Sequence, residues 1–462
     1  MPARFVDLDR ETPMFLPYDL REWVPAGHIV HLIVEAVEQI PTAHFQVNHR
    51  GSGSEQYPPT MMLALLMYCY VTGRFGSRTI EAATHSDVAV RYLCANHHPD
   101  HASICAFRTG NKQAFEAAFV TVLQMAQQLK LTKLGTVSLD GSKIQANASK
   151  HAAVSYARAG EMLAQLELEV RELVTRAQQA ENQESREQLD IPAELTRRAG
   201  RKAALQQARE VIAARAKEMA VAAQADYEAK QARRQAQRAA GKKPRGREPK
   251  PPRETPEPKA QYNFTDPQSA IMKAGSGQHF EQAYNAQAVV DAAMFIAGAR
   301  VSVAPNDKQE LVPGVAAISP VAAPEVNTIL IDSGFYSAAA VQAVEQNPDG
   351  TPTGRTVLAA VGKRSHHKTL ADLGPQPEPA APGPDATPKE TMGHRLATAA
   401  GKTLYKLRKQ TVEPVFGIIK EVMGFRRFSL RGLEKVSLEW TLVCVSYNLK
   451  RLFNLKNLAP AG

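Results

Sequence analysis

Three acidic residues carry the chemistry open to this chain. Asp140 closes the short apolar run Thr136–Leu139 (TVSL), and Asp332 closes a second, Thr328–Ile331 (TILI). A carboxylate at the end of a buried strand is costly unless it has a partner, and a divalent cation is a common one. Asp is also an ordinary turn residue at strand ends, so either one alone reads equally as punctuation. Together they say more. If the two strands are neighbours in one sheet, the carboxylates lie side by side, and like charges so close are tolerable when they share divalent cations. Glu413 supplies a third carboxylate. It sits on a predicted helix, Tyr405–Lys420 (YKLRKQTVEPVFGIIK), among Val412, Val415, Phe416 and Ile419, which would pack the helix down. Lys409, Glu413 and Lys420 are spaced by four and seven and so share a helix face, where the cations could meet phosphate. A surface charge on an ordinary helix is the plain alternative; Pro414 beside it argues against a regular interior position. Hard oxygen ligands of this kind suit a two-metal site for phosphoryl transfer, and the chain has no comparable Cys/His set.

These carboxylates need a mixed α/β scaffold. After Asp140, Gly141 and Ser142 lead into a second β-like run, Lys143–Ala148. Glu281–Asp291 and Ile296–Ala304 are apolar, β-rich neighbours, with a turn at Asn306-Asp307 and a helix over Glu310–Ala317. A helix near Ser337–Gln346 and a strand over Arg355–Val361 follow. Leu373–Pro388 is a Pro/Ala-rich extended linker. The chain closes with a helix over Gly393–Met423 and an amphipathic helix over Leu433–Leu455.

The region before the first strand is mostly helical. Trp23, Ile29, Leu32, Ile33 and Val37 fall at helical spacing, and Pro59 opens an apolar helix over Thr60–Val71. Helices over Ser77–Ala83, Asp87–Leu93 and Ser103–Leu129 follow a polar loop, His49–Gln56. Arg74, Arg78, Arg91 and Arg108 on short helices suit a DNA-binding helical domain, with a packing or dimerisation domain as the alternative. Cys94, His97, His98, His101 and Cys105 have zinc-like spacing. Ser103 as a helix cap, with Leu93 and Ile104 as apolar neighbours, gives them an ordinary core reading instead.

Residues 152–240 are rich in Ala, Gln, Glu and Arg. Leu163, Leu166, Val170, Leu173, Ala177 and Ala180 keep one heptad, and Leu205, Ala208, Ile212, Met219 and Ala222 keep another, broken by Arg215. Asn182–Pro192 separates them, so the segment reads as an antiparallel helical arm inserted into the scaffold. From Lys230 to Arg253 the chain is strongly basic, an unfolded tether that either touches phosphate backbone or is simply solvated.

The chain has 462 residues and a net charge of +10, which points to a polyanionic partner. Met61–Val71, its longest apolar stretch, is too short to span a bilayer, so no membrane is expected. Its N-terminal residues lack the apolar core of a signal peptide, and its four cysteines form no disulfide-like framework; both fit a reducing cytoplasm.

Taken in order, several stretches resemble bacterial insertion-sequence transposases of the DDE type. They are FLPYDLREWVP (Phe15–Pro25), YPP (Tyr57–Pro59), DHASICAFR (Asp100–Arg108) and LDGSKIQANASKH (Leu139–His151). NFTDPQSAIMK (Asn263–Lys273), YNAQAVVD (Tyr284–Asp291), APNDKQ (Ala304–Gln309) and DSGFYS (Asp332–Ser337) follow. YKLRKQTVEPVFGIIK (Tyr405–Lys420) and Gly424–Leu452 complete the set. The resemblance is to the branch whose final helix carries a Tyr…Arg…Glu…Lys signature. It implies a ribonuclease-H-like α/β core with Asp140, Asp332 and Glu413 as its metal-binding catalytic triad. Tyr405, Arg408 and Lys420 become the signature residues that contact the DNA end, and Arg78 and Arg108 contact DNA from the N-terminal domain. In the commonest form of the signature three residues separate Arg from Glu; Arg408 leaves four, so Lys409 competes for its role.

The implied organisation is a helical domain (1–130), a first part of the core (131–151), the arm (152–240), a basic linker (241–260), a second part of the core (261–364), a linker (365–392) and the core's C-terminal helices (393–462). The implied activity is phosphoryl transfer with two Mg²⁺ or Mn²⁺ ions: cleavage at the element's terminal inverted repeats, then attack of the freed 3′-OH on target DNA. A homodimer or larger assembly on DNA, in the bacterial cytoplasm at the nucleoid, goes with it. A ribonuclease-H-like nuclease without strand transfer, or a silent DNA-binding descendant, would share the same residues.

Overall fold

The computed structural model describes residues 19–48, 55–182, 191–241, 243–244, 246–274, 279–361, 378–383 and 385–458. Phe15–Tyr18, most of the polar loop before Tyr57, part of the bend between the arm helices and part of the Pro/Ala-rich linker lie outside these residues. In chain order the helices and strands are α1 (Ile29–Glu38), α2 (Pro59–Val71), α3 (Ser77–Ser86), α4 (Val88–Leu93), α5 (His101–Gly110), α6 (Lys112–Gln128), β1 (Thr136–Gln145), β2 (Ala153–Ser155), α7 (Tyr156–Asn182) and α8 (Ile191–Ala239). Then come β3 (Gln261–Asn263), β4 (Ala270–Ala274), β5 (His279–Asp291), β6 (Ile296–Ser302), α9 (Leu311–Ala316), β7 (Thr328–Ile331), α10 (Ala338–Glu345) and β8 (Thr356–Ala359). The last three are α11 (Pro388–Ala397), α12 (Ala399–Gly417) and α13 (Leu433–Leu458). The chain divides into two compact units, one of residues 1–145 and 284–462, the other of residues 146–283.

The first unit is a mixed α/β body. Its strands run in the order β6-β5-β1-β7-β8. β1, β7 and β8 are parallel, and β5 and β6 are antiparallel. Ala292 N donates to Lys133 O at the start of β1, and Ala146 N donates to Gln282 O just past its end, so β5 also runs antiparallel to β1. Val137, Leu139, Ile329, Ile331 and Val357 point to one face, into a core with Leu311, Val315, Phe335 and Val341. Leu330 and Leu358 point to the other, against Leu396 and Leu404. The alternation is the ordinary period of two, and each buried aliphatic side chain contributes about 1.5–3 kcal/mol.

β1 differs from expectation. The chain does not turn at Asp140 but continues as one ten-residue strand to Gln145. The β7 ladder ends at Leu139, and β5 along the other edge of β1 carries the extended chain past Asp-Gly-Ser, overriding its turn propensity. Gly141 is what lets it pass: a Cβ there would lie 2.6 Å from Asn285 Oδ1 and 3.0 Å from Asp307 Oδ1.

The helical expectations also shift in detail. The predicted helix Ser103–Leu129 is two helices that meet at Asn111, and the cap of the first is Asp100, which accepts from Ser103 N at 2.8 Å. The C-terminal pair breaks at Thr398. Gly401 is required there, because a side chain would run into the Arg395 carbonyl of α11. α11 begins at Pro388 with a capping box between Thr387 and Glu390, so helix already occupies the end of the segment read as a linker. α13 is not amphipathic. Nearly every residue from Val436 to Leu449 is buried, because the helix packs against β6 on one side and α2 and α6 on others. Trp440 Nε1 donates to Gln287 O at 2.9 Å, and Asn448 both donates to and accepts from the backbone of Ile296 at 2.9 Å.

In the second unit, α7 and α8 form an antiparallel pair. Arg198 meets Glu169, Lys202 meets Glu167, and Arg209 meets Tyr156, so partners descend on one helix as they climb on the other. Leu163, Leu166, Leu205, Ala208 and Ile212 make the seam. The heptad fails beyond Ile212: Met219 is 72% exposed, and Arg215 donates to Pro267 O at 2.6 Å. The basic run is only half the tether expected of it, since Lys230 to Arg238 belong to α8.

Candidate active site

Strand register brings the two aspartates together. Leu139 pairs with Ile331 across the parallel β1–β7 ladder, so Asp140 and Asp332 follow at the same level. By the same alternation both belong to the face that α12 covers, as Ser138 and Leu330 do. Two polar clamps hold α12 there. Tyr405 donates its hydroxyl to Ile331 O at 2.9 Å, next to Asp332, and Thr411 shares a 3.0 Å hydrogen bond with Ser138, two residues before Asp140. Between them lies Arg408. Its guanidinium donates to Asp140 Oδ2 at 2.8 Å and reaches Glu413 at 3.4 Å and Asp332 at 3.8 Å. The structure therefore gathers all three expected acids around one cation.

Their surroundings differ. The Asp140 side chain is 22% exposed, while those of Asp332 and Glu413 are 47% and 50% exposed. Burial pushes the Asp140 carboxyl above its ordinary value against the pull of Arg408, and Asp332 adds to the rise. Burial works against the Arg408 charge, but Asp140, then Tyr405, Asp332 and Glu413 outweigh it and hold the guanidinium firmly charged. Burial likewise raises the Tyr405 hydroxyl.

Downstream of Glu413 the helix changes. Pro414 has no N–H for the carbonyl one turn back, and after Gly417 the chain widens into one turn of π-helix, Ile418–Val422. That turn carries Lys420, whose Nζ donates to Ser142 Oγ at 2.5 Å and Lys143 O at 3.2 Å; burial lowers its pKa. The extra residue in the turn breaks the helical-wheel grouping of Lys409 with Lys420. Lys409 is exposed and makes no ion pair with the three acids, so Arg408, at the longer spacing, is the residue on the carboxylates.

Sequence reasoning missed a second cluster beside Asp140. Asn285 Nδ2 donates to Asp307 Oδ1 at 2.7 Å, and Lys143 Nζ lies 3.7 Å from the same carboxylate. Asp307 was legible only as the second residue of a turn.

The N-terminal arginines divide. Arg78 is exposed on the first turn of α3. Arg74 pairs with Asp87 at 2.8 Å, and Arg91 stacks over Trp23. Arg108 corrects the expectation of a DNA contact. It is 3% exposed and donates to Tyr70 Oη at 3.1 Å and Phe75 O at 2.8 Å. Tyr70 in turn donates to Glu439, whose carboxylate also accepts from Ser429 N and Leu430 N. Arg108 is committed to the packing of α5 and α2 against α13, where no phosphate can reach it.

Two family models match the chain. Residues 384–453 match the Transposase DDE domain, and residues 18–110 match the Transposase domain (DUF772). Together the two matches support a bacterial insertion-sequence DDE transposase. The first match takes in Tyr405, Arg408, Glu413 and Lys420; Asp140 and Asp332 join them through the sheet register alone. No curated protein matches the chain, and no solved structure does.

The family generally uses divalent metals. The donors fit such ions in kind: three hard carboxylates, two of them open to solvent, with a net charge of −2 once Arg408 is counted. As they stand, no three acidic, His or Cys side chains among the described residues are drawn close enough to hold an ion, because Arg408 lies between them. No described helix is long and apolar enough to cross a membrane.

Proposed function

We propose that this transposase cleaves DNA at its element's terminal inverted repeats and joins the freed 3′-OH to target DNA, using Asp140, Asp332 and Glu413. The observation that carries the reading is the parallel register Leu139–Ile331, which sets the two aspartates level beneath the helix that bears Glu413. The strand order β6-β5-β1-β7-β8, with three antiparallel strands and two parallel additions, supports a ribonuclease-H-like core. Two Mg²⁺ or Mn²⁺ ions held by the three carboxylates would supply Lewis-acid stabilisation of charge on the transferring phosphoryl group.

The chain's own residues prepare the site. Arg408 orients Asp140 through a charge-assisted bond and keeps three like charges compatible in one place. Tyr405 and Thr411 fix α12 over both strands, so Glu413 cannot drift from the aspartates. Lys420 and Ser142 present donors beside Asp140, where a phosphodiester oxygen would gain most from them. Arg78 offers an exposed cation to the element's ends, and a homodimer or larger assembly would hold two ends together.

The test is strand cleavage and joining on duplexes that carry the element's own ends, with Mg²⁺. Asp140→Asn, Asp332→Asn and Glu413→Gln should each abolish both steps. Wild-type cleavage by the two aspartate variants would defeat the assignment; cleavage without joining by the native chain would mark a nuclease.

A further inference from the structure

We infer that the basic end of the arm is a second phosphodiester-backbone site, built wholly within residues 146–283 and specific for charge rather than sequence. Resting on the reading above, it takes duplex DNA as ligand. On α8, Lys230, Arg233, Arg234 and Gln237 recur at spacings of three and four, which puts them on one side of the helix. Beyond Gly241 the chain returns along that side. Arg234 Nη2 donates to Gly246 O at 3.3 Å, and Arg238 pairs with Glu248 at 3.2 Å. The cleft between helix and returning segment is lined by Lys230, Arg233, Arg234, Lys243 and Arg247 beside Pro249, with no carboxylate among them. It continues past Tyr227 to Lys250, where Asp226 pairs with Lys230.

A solvated linker would spread these charges apart. Here the chain instead folds back and converges five cations, of which Lys230 also pairs with Asp226, on one open groove, and that excess of positive charge costs electrostatic energy unless a polyanion fills it. Proline at 249 and 252 favours an extended strip over a helix on the returning side, so the cations stand in a row as a backbone requires. A run of phosphates fits that row, and each contact releases condensed counterions.

The experiment uses the full chain and a duplex of random sequence without element ends, with affinity measured by fluorescence anisotropy across a salt series. A variant with Lys230→Gln, Arg233→Gln, Arg234→Gln, Lys243→Gln and Arg247→Gln keeps good helix formers on α8. The slope of log affinity against log salt should be shallower in it by about 4–5. Between about 50 and 200 mM salt the native chain should lose roughly 500-fold more affinity than the variant. Equal slopes overturn the inference. A charge-preserving variant (Arg233→Lys, Arg234→Lys, Arg247→Lys) should keep the native slope; if it too flattens, the residues act through structure and the inference falls. A slope difference seen with single-stranded RNA but not with duplex DNA overturns the ligand. Cleavage at element ends is read in parallel. If cleavage survives in the native chain with equal slopes, only the groove fails; if the slopes differ but Asp140→Asn cleaves normally, only the triad fails.

Discussion

Arg408 and Arg108 are both buried arginines on helices, both were expected to touch DNA, and both face acidic partners. They do opposite work. Arg408 sits under carboxylates that are half open to solvent, at the level where β1 and β7 present Asp140 and Asp332. Arg108 is sealed among Tyr70, Phe75 and a Glu439 that is fully buried in the second turn of α13. The difference lies in access. A carboxylate cluster open on one side can exchange its cation for substrate or metal, whereas a closed one can only hold helices together.

The largest expected effect separates the two outright. Asp332→Ala or Glu413→Ala should cut strand cleavage by roughly 10³-fold or more, from lost charge stabilisation of several kcal/mol, yet leave the thermal midpoint nearly unchanged. Glu439→Ala should do the reverse. It strands a buried guanidinium and two backbone N–H groups, and about 3–5 kcal/mol of stability should go, read by urea denaturation, while the folded fraction still cleaves. Equal losses of stability at both sites would erase the contrast.

Next comes the choice between neighbouring cations. Arg408→Lys keeps the charge but loses the fork that spans three acids, and should lower cleavage roughly 10- to 100-fold. Lys409→Ala should stay near the native rate; the opposite ranking would hand the signature role to Lys409.

Glu439 also sets a pH dependence. Burial raises its folded pKa above the ordinary 4.5, despite Arg108 and the hydrogen bonds that pull it down. Between the unfolded and folded values the native state therefore binds more protons, so its contribution is full below 4.5 and is lost as pH rises through the raised folded value. A urea-midpoint series should show that fall in the native chain and a flatter profile in Glu439→Gln. The smallest effect is at Tyr405→Phe, which removes one hydrogen bond to Ile331 O, about 1 kcal/mol, and should cost cleavage only a few-fold.

The residues of the candidate site stand in patterns that are visible without coordinates. Two apolar runs ending in Asp, and a Glu framed by Val412, Val415 and Phe416, are local patterns, and local patterns survive into the fold. What failed, failed for non-local reasons. Asp140-Gly141-Ser142 looked like a turn, but β5, far away in the chain, runs beside it and the strand continues to Gln145. Val436–Leu449 looked like part of a half-exposed helix, but sheet and helices enclose it. Met219 kept heptad spacing on α8, yet the described part of α7 leaves it exposed.

The sequence by itself determined which residue types could do the chemistry, the strand and helix that carry each, and the order of the transposase motifs, because these depend on side-chain identity and short-range periodicity. Only the tertiary structure decided that Asp140 and Asp332 share a level, that Arg408 rather than Lys409 meets them, and that Arg108 is locked away. Those outcomes depend on strand register and on which helix covers which face, and residues hundreds of positions apart set both.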